Sequence, residues 1–429
     1  MTGDFADLWD RPLRQFVERL ISFETTAGTE QPAQRWVADQ LSEFGFEVYE
    51  WTADAATLAE HPSFPDDPDE IHVENRPSVA GVLEFGDPDA GQTLILNGHI
   101  DVVPAECTLW ETDPFEPTWD GDRLIGRGAC DMKAGLGTCV FAARHLMELV
   151  NANESGGGLD GRIVVESVVG EEEGGIGAAA AALSNPYPFE RDAAIIAEPT
   201  DHRPIVATEG SLMARLGLRG RSAHAASRWH GESVLPHFER IRHAFRELET
   251  ERGQRIAHPL YEAFPVPWPV VIGTVEAGSW ASTVPAELTA ELRIGVAPGE
   301  TVAEVEAEFT ERLNEVVADS EWLSEHPPTF ERFSIQFEPA ETDPDEPIVR
   351  TLRDAMDERG CGERQQTPAG ATYGADSRHY VEAGIPTVLF GAGDLQQAHY
   401  PNESIEWKDV LEAGETLSDA ARRFLVTDR

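Results

Sequence analysis

The sequence has little positive charge, and lysine is nearly missing from it. Of its 429 residues, 33 are Lys or Arg and 78 are Asp or Glu, so the formal net charge is -45; the only lysines are Lys133 and Lys408. A surface this acidic repels the phosphates of nucleic acids and the headgroups of anionic membranes. Neither is therefore expected as a partner.

Paired cysteines and long apolar segments are missing as well, and we expect no signal peptide. The four cysteines form no CxxC pair, which indicates reduced thiols rather than a disulfide framework. The N-terminal residues lack the apolar core of a signal peptide, and no apolar run reaches the ~20 residues that cross a bilayer. We expect a soluble, cytoplasmic protein.

What the chain does contain is enough apolar sequence to fold. Apolar residues make up 41% of it, and the acidic residues are spread among regularly spaced apolar ones, as in a folded protein with a carboxylate-rich surface. Repulsion among these carboxylates destabilises a compact state unless salt screens it, because the Debye length falls from ~10 Å at ~0.1 M to ~3 Å at ~1 M salt. The hypothesis is adaptation to a cytoplasm of high ionic strength.

The order of predicted elements is that of an α/β protein with an insertion. Two amphipathic helices within 7–45 precede predicted strands at 46–51, 79–85, 94–103, 163–169 and 193–197 and predicted helices at 136–150 and 176–183, an order that favours a largely parallel sheet. From about residue 208 the order becomes strand, helix, strand, strand, helix, strand, with the last strand at 333–337, which is typical of a ferredoxin-like α+β unit.

This pattern predicts two discontinuous parts of one domain around an insert. We expect one domain formed by 1–208 and 342–429 and a second, inserted domain formed by 209–341. The glycine-rich segment 151–161 is interpreted as a solvated turn.

Candidate metal ligands follow apolar, strand-like segments at five places. They are His99 in LILNGHID, Asp131 in GRGACDMK, the run Glu171 to Glu173, Glu198 in AIIAEPT and His399 in QQAHYPNE. Ligands in an open α/β sheet are expected just beyond the carboxyl ends of strands, and His with carboxylates are the ligand types of a pair of zinc-like ions. Taken singly, each has a simpler interpretation, such as a helix N-cap for Asp131 or a solvated loop for the glutamates.

The residue types within these motifs suggest separate roles. His99 and Asp101 lie two apart at a strand end and point the same way, so Asp101 can fix one ring nitrogen while the other binds metal. Asp131 has two oxygens with which to bridge two ions ~3.5 to 4 Å apart. One glutamate of the run can bind metal while its neighbour stays free as a general base. An unpaired charge at Glu198, at the end of an apolar segment, would be costly.

The five motifs in this order make the chain resemble the co-catalytic zinc hydrolases that include acetylornithine deacetylase, succinyl-diaminopimelate desuccinylase, aminoacylase and the glutamate-releasing carboxypeptidases. The resemblance covers nearly the whole chain. It implies that 1–208 and 342–429 form a zinc-exopeptidase-like catalytic domain with two divalent metal ions, zinc or alternatively cobalt, and that 209–341 form an inserted lid or dimerisation domain. It further implies that Asp131 bridges the ions, that His99 and Glu198 complete one, and that Glu172 and His399 complete the other.

The resemblance also implies roles for residues that are not ligands. It places the free base at Glu171 and makes Asp101 the residue that orients His99. In the lid, RGRSAHAA matches the segment whose histidine, here His224, reaches across a homodimer to stabilise the oxyanion, and Arg293 in ELRIGV matches an arginine that meets the substrate carboxylate. Without the resemblance, His224 would be interpreted as a polar surface residue and Arg293 as a solvated strand residue.

The implied function is hydrolysis of the amide bond of an N-acyl amino acid, similar to acetylornithine deacetylase or succinyl-diaminopimelate desuccinylase, by a water that two metals activate. The alternatives are a dipeptidase or carboxypeptidase of the same family and, from another class, a catalytically silent binding module. Two departures from the family pattern, Ser282 where relatives have Asn and GAG at 391–393 in place of GPG, lie near the expected substrate and leave the acyl group open.

Overall fold

The computed structural model describes residues 4–152 and 158–426. Across these residues the helices are α1 (Phe5–Ile21), α2 (Gln31–Glu43), α3 (Ala55–Ala59), α4 (Ala134–Ala152), α5 (Ile176–Leu183), α6 (Val234–Arg255), α7 (Val302–Ala318), α8 (Glu321–Glu325), α9 (Pro347–Glu358), α10 (Glu363–Gln366), α11 (Ser377–Glu382) and α12 (Trp407–Leu425). The strands are β1 (Glu47–Thr52), β2 (Pro77–Phe85), β3 (Gln92–His99), β4 (Thr118–Asp120), β5 (Arg123–Ile125), β6 (Gly161–Val168), β7 (Ala193–Ile196), β8 (Ile205–Thr208), β9 (Gly210–Arg219), β10 (Val270–Ala277), β11 (Glu287–Val296), β12 (Thr329–Arg332), β13 (Ala340–Glu341), β14 (Ala369–Ala371), β15 (Thr387–Leu389) and β16 (Ser404–Glu406).

The central sheet combines a parallel middle with antiparallel edges. Its strands lie in the order β1-β2-β6-β3-β7-β15-β8-β13, with β14 paired to β8. Strands β6, β3, β7 and β15 pair in parallel, while β1, β2 and β13 pair antiparallel with their neighbours. Every residue of β6 and β7 is buried, as expected for parallel strands covered on both faces. The predicted α/β fold with a mostly parallel central sheet is confirmed.

A second sheet, which we call the lid sheet, contains β9 to β12 and is antiparallel throughout. Its order is β10-β11-β9-β12, and α6 and α7 cover one of its faces. In β9 the side chains alternate accordingly, with Leu212, Ala214 and Leu216 in the core under these helices. The predicted order of strands and helices in this part of the chain is found, and the domain boundaries at 208/209 and 341/342 stay predictions.

The last strand of that pattern is wrong by several residues. It was expected at 333–337, but β12 spans Thr329–Arg332 and the chain turns at Ser334, whose φ of 57° is left-handed. A residue in this conformation interrupts the ladder, which resumes only as an isolated bridge between Phe337 and Ser211. Gln336 at this turn donates to backbone carbonyl oxygens from its side chain instead of pairing in the ladder.

Two other expectations from the sequence meet limits in the structure. The predicted turn at 151–161 lies partly outside the described residues, since 153–157 are not among them, and α4 extends to Ala152. Among the described residues, no helix is both long enough and apolar enough to cross a membrane.

Candidate metal centre

The sheet brings three of the predicted ligand segments to one edge. His99 is the last residue of β3, Glu198 follows β7 by two residues, and the Glu171 to Glu173 run follows β6. Strand β3 pairs in parallel with β6 on one side and β7 on the other. Because the carboxyl ends of parallel strands meet at the same edge of a sheet, the three segments lie side by side.

The five predicted ligands converge into two groups that share one residue. Ligand atoms of His99, Asp131 and Glu198 all lie within 4.8 Å of one another, and so do those of Asp131, Glu172 and His399. The Asp131 carboxylate has Oδ1 3.1 Å from His99 Nε2 and Oδ2 3.5 Å from His399 Nε2. His399 Nε2 also lies 3.0 Å from Glu172 Oε1. The structure thus assembles the side chains that the sequence singled out, and their roles as ligands remain a prediction.

The site has more buried acid than nearby positive charge. Burial, with the charge of Asp376 next in importance, raises the pKa of Glu171 well above its usual value. Burial raises the pKa of Glu198 to about 8. Burial lowers the pKa of His99, but its hydrogen bond with Asp131 and the nearby acids raise that pKa well above its ordinary value. Imidazoles and carboxylates that all favour added positive charge form a donor set that fits two divalent cations.

Asp101 acts on its surroundings differently from what the sequence predicted. His99 Nδ1 lies 2.9 Å from the backbone carbonyl oxygen of Asp101 and 3.8 Å from its carboxylate. The carboxylate instead accepts hydrogen bonds from the backbone N–H groups of Glu171 at 3.3 Å and Glu172 at 3.1 Å. Asp101 therefore fixes His99 through its main chain and the glutamate loop through its side chain.

Glu403 is a supporting residue that sequence reasoning missed. Its buried carboxylate accepts hydrogen bonds from the backbone N–H groups of Gly128, Cys130 and Asp131 at 2.8 to 3.0 Å and from the Arg127 guanidinium at 2.8 Å. These contacts hold the loop that carries Asp131. The only signal in the sequence was an acid four residues after the histidine of AHYPNE.

Asp376 was also missed, and it is buried beside the loop that carries Glu171 to Glu173. It is 1% exposed, and neither of its carboxylate oxygens has a hydrogen-bond partner among the described residues. A Cβ added at Gly175, whose φ is +75°, would lie 2.2 Å from Asp376 Oδ1, so this glycine gives the carboxylate its space. Burial raises the pKa of Asp376 to about 7. No motif around it pointed to a site.

The two residues implied for the lid have different positions. Arg293 lines a cavity of about 410 Å³ together with Asp131, Glu171, Glu172, Glu198 and His399. His224 does not line this cavity. It is exposed at the start of a short helical turn, where its Nδ1 accepts a hydrogen bond from the backbone N–H of Ala226 at 3.1 Å. The described chain therefore brings Arg293 to the site but not its own His224.

The lysine and the third glutamate of the run have structural contacts. Lys133 is fully buried and its Nζ donates to the backbone carbonyl oxygen of Phe23 at 2.9 Å. Glu173 Oε2 lies 2.5 Å from Nη1 of the buried Arg76. Neither side chain is placed among the two candidate ligand groups.

A third group of metal-ligand types lies outside the cavity. Ligand atoms of His202, Asp409 and Glu412 are within 4.8 Å of one another, but Glu412 Oε1 also lies 3.0 Å from Lys408 Nζ. One of its two carboxylates is thus already paired with a lysine ammonium group. None of the three side chains lines the cavity at the two candidate ligand groups.

Comparisons of the sequence with known proteins match the chain to one family of hydrolases. The model of the peptidase family M20/M25/M40 matches residues 95–423. The N-formyl-4-amino-5-aminomethyl-2-methylpyrimidine deformylase of Bacillus subtilis (strain 168) is 28% identical over 95% of this chain and 93% of its own. The acetylornithine deacetylase of Edwardsiella ictaluri (strain 93-146) is 26% identical over 80% of this chain and 82% of its own.

A solved structure agrees in fold. The M20 family metallo-carboxypeptidase Sso-CP2 from Sulfolobus solfataricus has a TM-score of 0.72 and is 16% identical, and the alignment covers 97% of this chain and 99% of that one. At this identity the likeness concerns the fold alone. It extends over both the central sheet and the lid sheet, since nearly all of the chain is covered.

Proposed function

This chain belongs to the peptidase family M20/M25/M40, a family of hydrolases that act on amide bonds, and we propose that it removes the acyl group from a small N-acyl compound with the help of two divalent metal ions, zinc most readily. The observation that carries the proposal is the pair of ligand groups that share Asp131. A carboxylate common to both groups has two oxygens with which to bridge two ions ~3.5 to 4 Å apart.

The roles proposed for the ligands follow their grouping. His99, Asp131 and Glu198 would hold one ion, and Asp131, Glu172 and His399 the other. When bound, two such ions supply Lewis acidity for the scissile carbonyl and make water more acidic. Asp101 and Glu403 keep the ligand loops in position through the backbone hydrogen bonds described above.

Glu171 is proposed as the general base. Its side chain lines the cavity beside Glu172 and Glu198, and burial raises its pKa well above the ordinary value. A carboxylate with a raised pKa accepts a proton more readily, and a base within reach of both water and leaving group can pass that proton on. Its carboxylate would take the proton of the attacking water and return it to the nitrogen of the leaving amine.

Two kinds of acyl compound are proposed as substrates. The first is an N-acyl amino acid, as the resemblance to acetylornithine deacetylase and succinyl-diaminopimelate desuccinylase implies and as a relative named acetylornithine deacetylase supports. The second is an N-formyl derivative of an aminomethylpyrimidine. It is favoured by the deformylase relative, which matches this chain at higher identity and over more of its length.

A homodimer through the lid is part of the proposal. His224 does not line the cavity of its own chain, and its segment packs against the 280–283 turn through the hydrogen bond from Ala225 N–H to the Ser282 carbonyl oxygen. Two tryptophans at this place, Trp229 and Trp280, are 73% and 74% exposed. Exposed tryptophans are enriched at protein interfaces, so this surface fits a second copy whose cavity would receive His224.

Metal analysis and a substrate panel test the proposal together. Purified protein in high salt should bind two zinc or cobalt ions per chain and release acetate, formate or succinate from at least one N-acyl substrate. Dipeptides in the same panel test the dipeptidase or carboxypeptidase alternative. Protein that binds two ions and hydrolyses none of these compounds would instead support the silent binding module, and protein that binds no ion would contradict the proposal.

A further inference from the structure

Arg293 is the one arginine or lysine among the described residues that line the catalytic cavity. It stands on the uncovered face of the lid sheet, directly across from Met213 in the ladder between β11 and β9. An arginine here is the natural group to bind a substrate carboxylate. Whether it can do so depends on which partners its guanidinium already has.

The guanidinium of Arg293 is engaged within the chain. Its Nη1 lies 3.0 Å from Glu209 Oε1, and its Nη2 donates to the backbone carbonyl oxygen of Thr372 at 3.2 Å. Glu209 is 0% exposed, whereas the Arg293 side chain is 29% exposed. A carboxylate that is already desolvated and paired keeps its partner, because losing it would leave a buried charge uncompensated.

The position of Glu209 is built into the junction of the two sheets. Glu209 is the single residue between β8 of the central sheet and β9 of the lid sheet, and its backbone N–H donates to the Ala371 carbonyl oxygen at 2.9 Å. A Cβ added at Gly295 would lie 2.4 Å from Glu209 Oε1. A glycine in β11 thus leaves the space that the carboxylate occupies next to Arg293.

Apart from Ser211 and His399, the other side chains that line the cavity are apolar, aromatic or acidic. Met213, Phe337, Tyr373 and Leu395 line it opposite the acids of the candidate metal centre. A flat or apolar group gains from contact with such side chains, and a substrate carboxylate finds no arginine or lysine of this chain in the lining that lacks its own counter-charge.

We infer that the amine part of the substrate carries no carboxylate and presents an aromatic or apolar group to this wall, with Glu209 masking the charge of Arg293. The inference rests on the proposed function and narrows it: among N-acyl compounds, the site suits acylated aryl- and heteroarylalkyl amines rather than acylated amino acids. Glu209 is the residue that sets this preference, acting through Arg293.

A matched pair of substrates tests the preference. N-acetyl-2-phenylethylamine and N-acetylphenylalanine differ in one carboxylate, as do their N-formyl counterparts. We expect kcat/KM for the carboxylate-free member to exceed that of its partner by roughly tenfold or more. Assays at about pH 8 keep Glu209 ionised, since burial raises its pKa to about 7 while Arg293 and Arg252 oppose that rise. A higher kcat/KM for the carboxylate-bearing member would overturn the inference.

The variant Glu209→Gln makes the test specific. It removes the masking charge, so the ratio between the two substrates should narrow or invert. Glu291→Gln is the matched control, because it removes a carboxylate from the Arg215–Glu291 pair, 2.9 Å apart on the same sheet, and it should leave the ratio unchanged. An unchanged ratio in a folded Glu209→Gln protein would contradict the role of Glu209. If that variant does not fold, the charge-neutral double variant with Arg293→Gln should keep the wild-type ratio.

Binding to an inactive variant separates this inference from the proposed function. Calorimetry with Glu171→Gln measures the affinity for both members of each pair without turnover. Tighter binding of the carboxylate-free member, with no hydrolysis of any compound by the wild type, would uphold the inference and contradict the proposed function. Hydrolysis with a preference for the carboxylate-bearing member would do the reverse.

Discussion

The central sheet and the lid sheet bury their strands in different ways. All residues of β6 and β7 are buried, whereas β9 and β11 alternate between the core under α6 and α7 and an uncovered face. The first sheet holds candidate metal ligands at the ends of its strands. The second lines the cavity with side chains from one of its faces, Met213 and Arg293.

From this difference we expect the central sheet to determine the chemistry and the lid sheet to determine the choice of substrate. Strands covered on both faces give fixed positions to His99 and Glu198, which suits groups that must keep their geometry. A sheet with one open face can present new side chains at alternate positions while its packed positions stay the same. Changes in the central sheet should therefore alter turnover, and changes on the lid face should alter which substrate is accepted or how the transition state is stabilised.

The sharpest test on the central side of this comparison is Glu171→Gln. We expect turnover to fall by ~10²- to 10⁴-fold, because a positioned general base contributes that much, while the two metal ions remain bound. Metal content by elemental analysis and kcat on the best substrate measure the two effects. Glu173→Gln, the same change two residues on, should keep its activity; full activity in Glu171→Gln would refute the assignment of the base.

On the lid side the corresponding test is His224→Ala. Loss of one donor to the transition state lowers the rate by ~10²- to 10³-fold in other enzymes, and we expect a fall of that size with unchanged metal content. His230→Ala, in the same exposed segment, is the control and should be nearly silent. A normal kcat in the His224→Ala variant would contradict a role of His224 in stabilising the transition state.

Mixing the two inactive variants shows from which chain His224 acts. In a dimer of one Glu171→Gln chain and one His224→Ala chain, one cavity has both an intact base and a partner's histidine. Random exchange should restore roughly a quarter of wild-type activity, because about half the dimers are mixed and each has one competent site. Activity that stays at the level of the separate variants would mean that no histidine crosses between subunits.

Removal of the metals should destabilise the domain of the central sheet, which carries the candidate ligands, more than the lid sheet. Ions at 100 times their dissociation constant add about 2.7 kcal/mol to the free energy of unfolding at each site. In metal-free protein, burial raises the pKa of Glu198 to about 8 from 4.5, so its contribution to stability is full below pH 4.5 and is lost as pH rises through about 8. Denaturant unfolding with and without chelator measures the free energy of unfolding of the metal-free and the metal-bound protein. We expect these two free energies to differ most above pH 8, and equal values there would contradict the proposed metal site.

Dilution of salt should produce the smallest change in the free energy of unfolding. It should also show which of the two sheets opens first. With a net charge of -45, we expect the free energy of unfolding to fall by on the order of 1 kcal/mol or more as salt is lowered from molar to millimolar concentration. Amide hydrogen exchange should quicken in β10, which lies at the edge of the lid sheet, before β6. Stability that is independent of salt would refute the adaptation hypothesis.

The sequence predicted most of the fold because its signals were local. Alternating apolar residues in β9 and β11, and the apolar runs of β3, β6 and β7, each belong to one element and needed no knowledge of the others. The five ligand segments were likewise recognisable from motifs at the ends of such runs. Their convergence follows from a single rule on parallel strands.

What the sequence did not predict depends on contacts between distant segments. Asp376 and Glu403 have no motif of their own and gain a role only where the chain returns to Gly175 and to the Asp131 loop. The pairing of Glu209 with Arg293 joins residues 84 positions apart. The strand expected at 333–337 failed for a local reason, the left-handed turn at Ser334, which the apolar pattern around it concealed.

The hold of Glu403 on the Asp131 loop spans 272 positions of the chain. During synthesis this carboxylate leaves the ribosome long after the Asp131 loop, and His399 leaves it at almost the same time. A chain made only as far as residue 398 lacks both the carboxylate that orders the Asp131 loop and one of the candidate ligands, so we expect hydrolysis to begin only after residue 403 has emerged. Fragments that stop before residue 399 should be inert even if their central strands assemble.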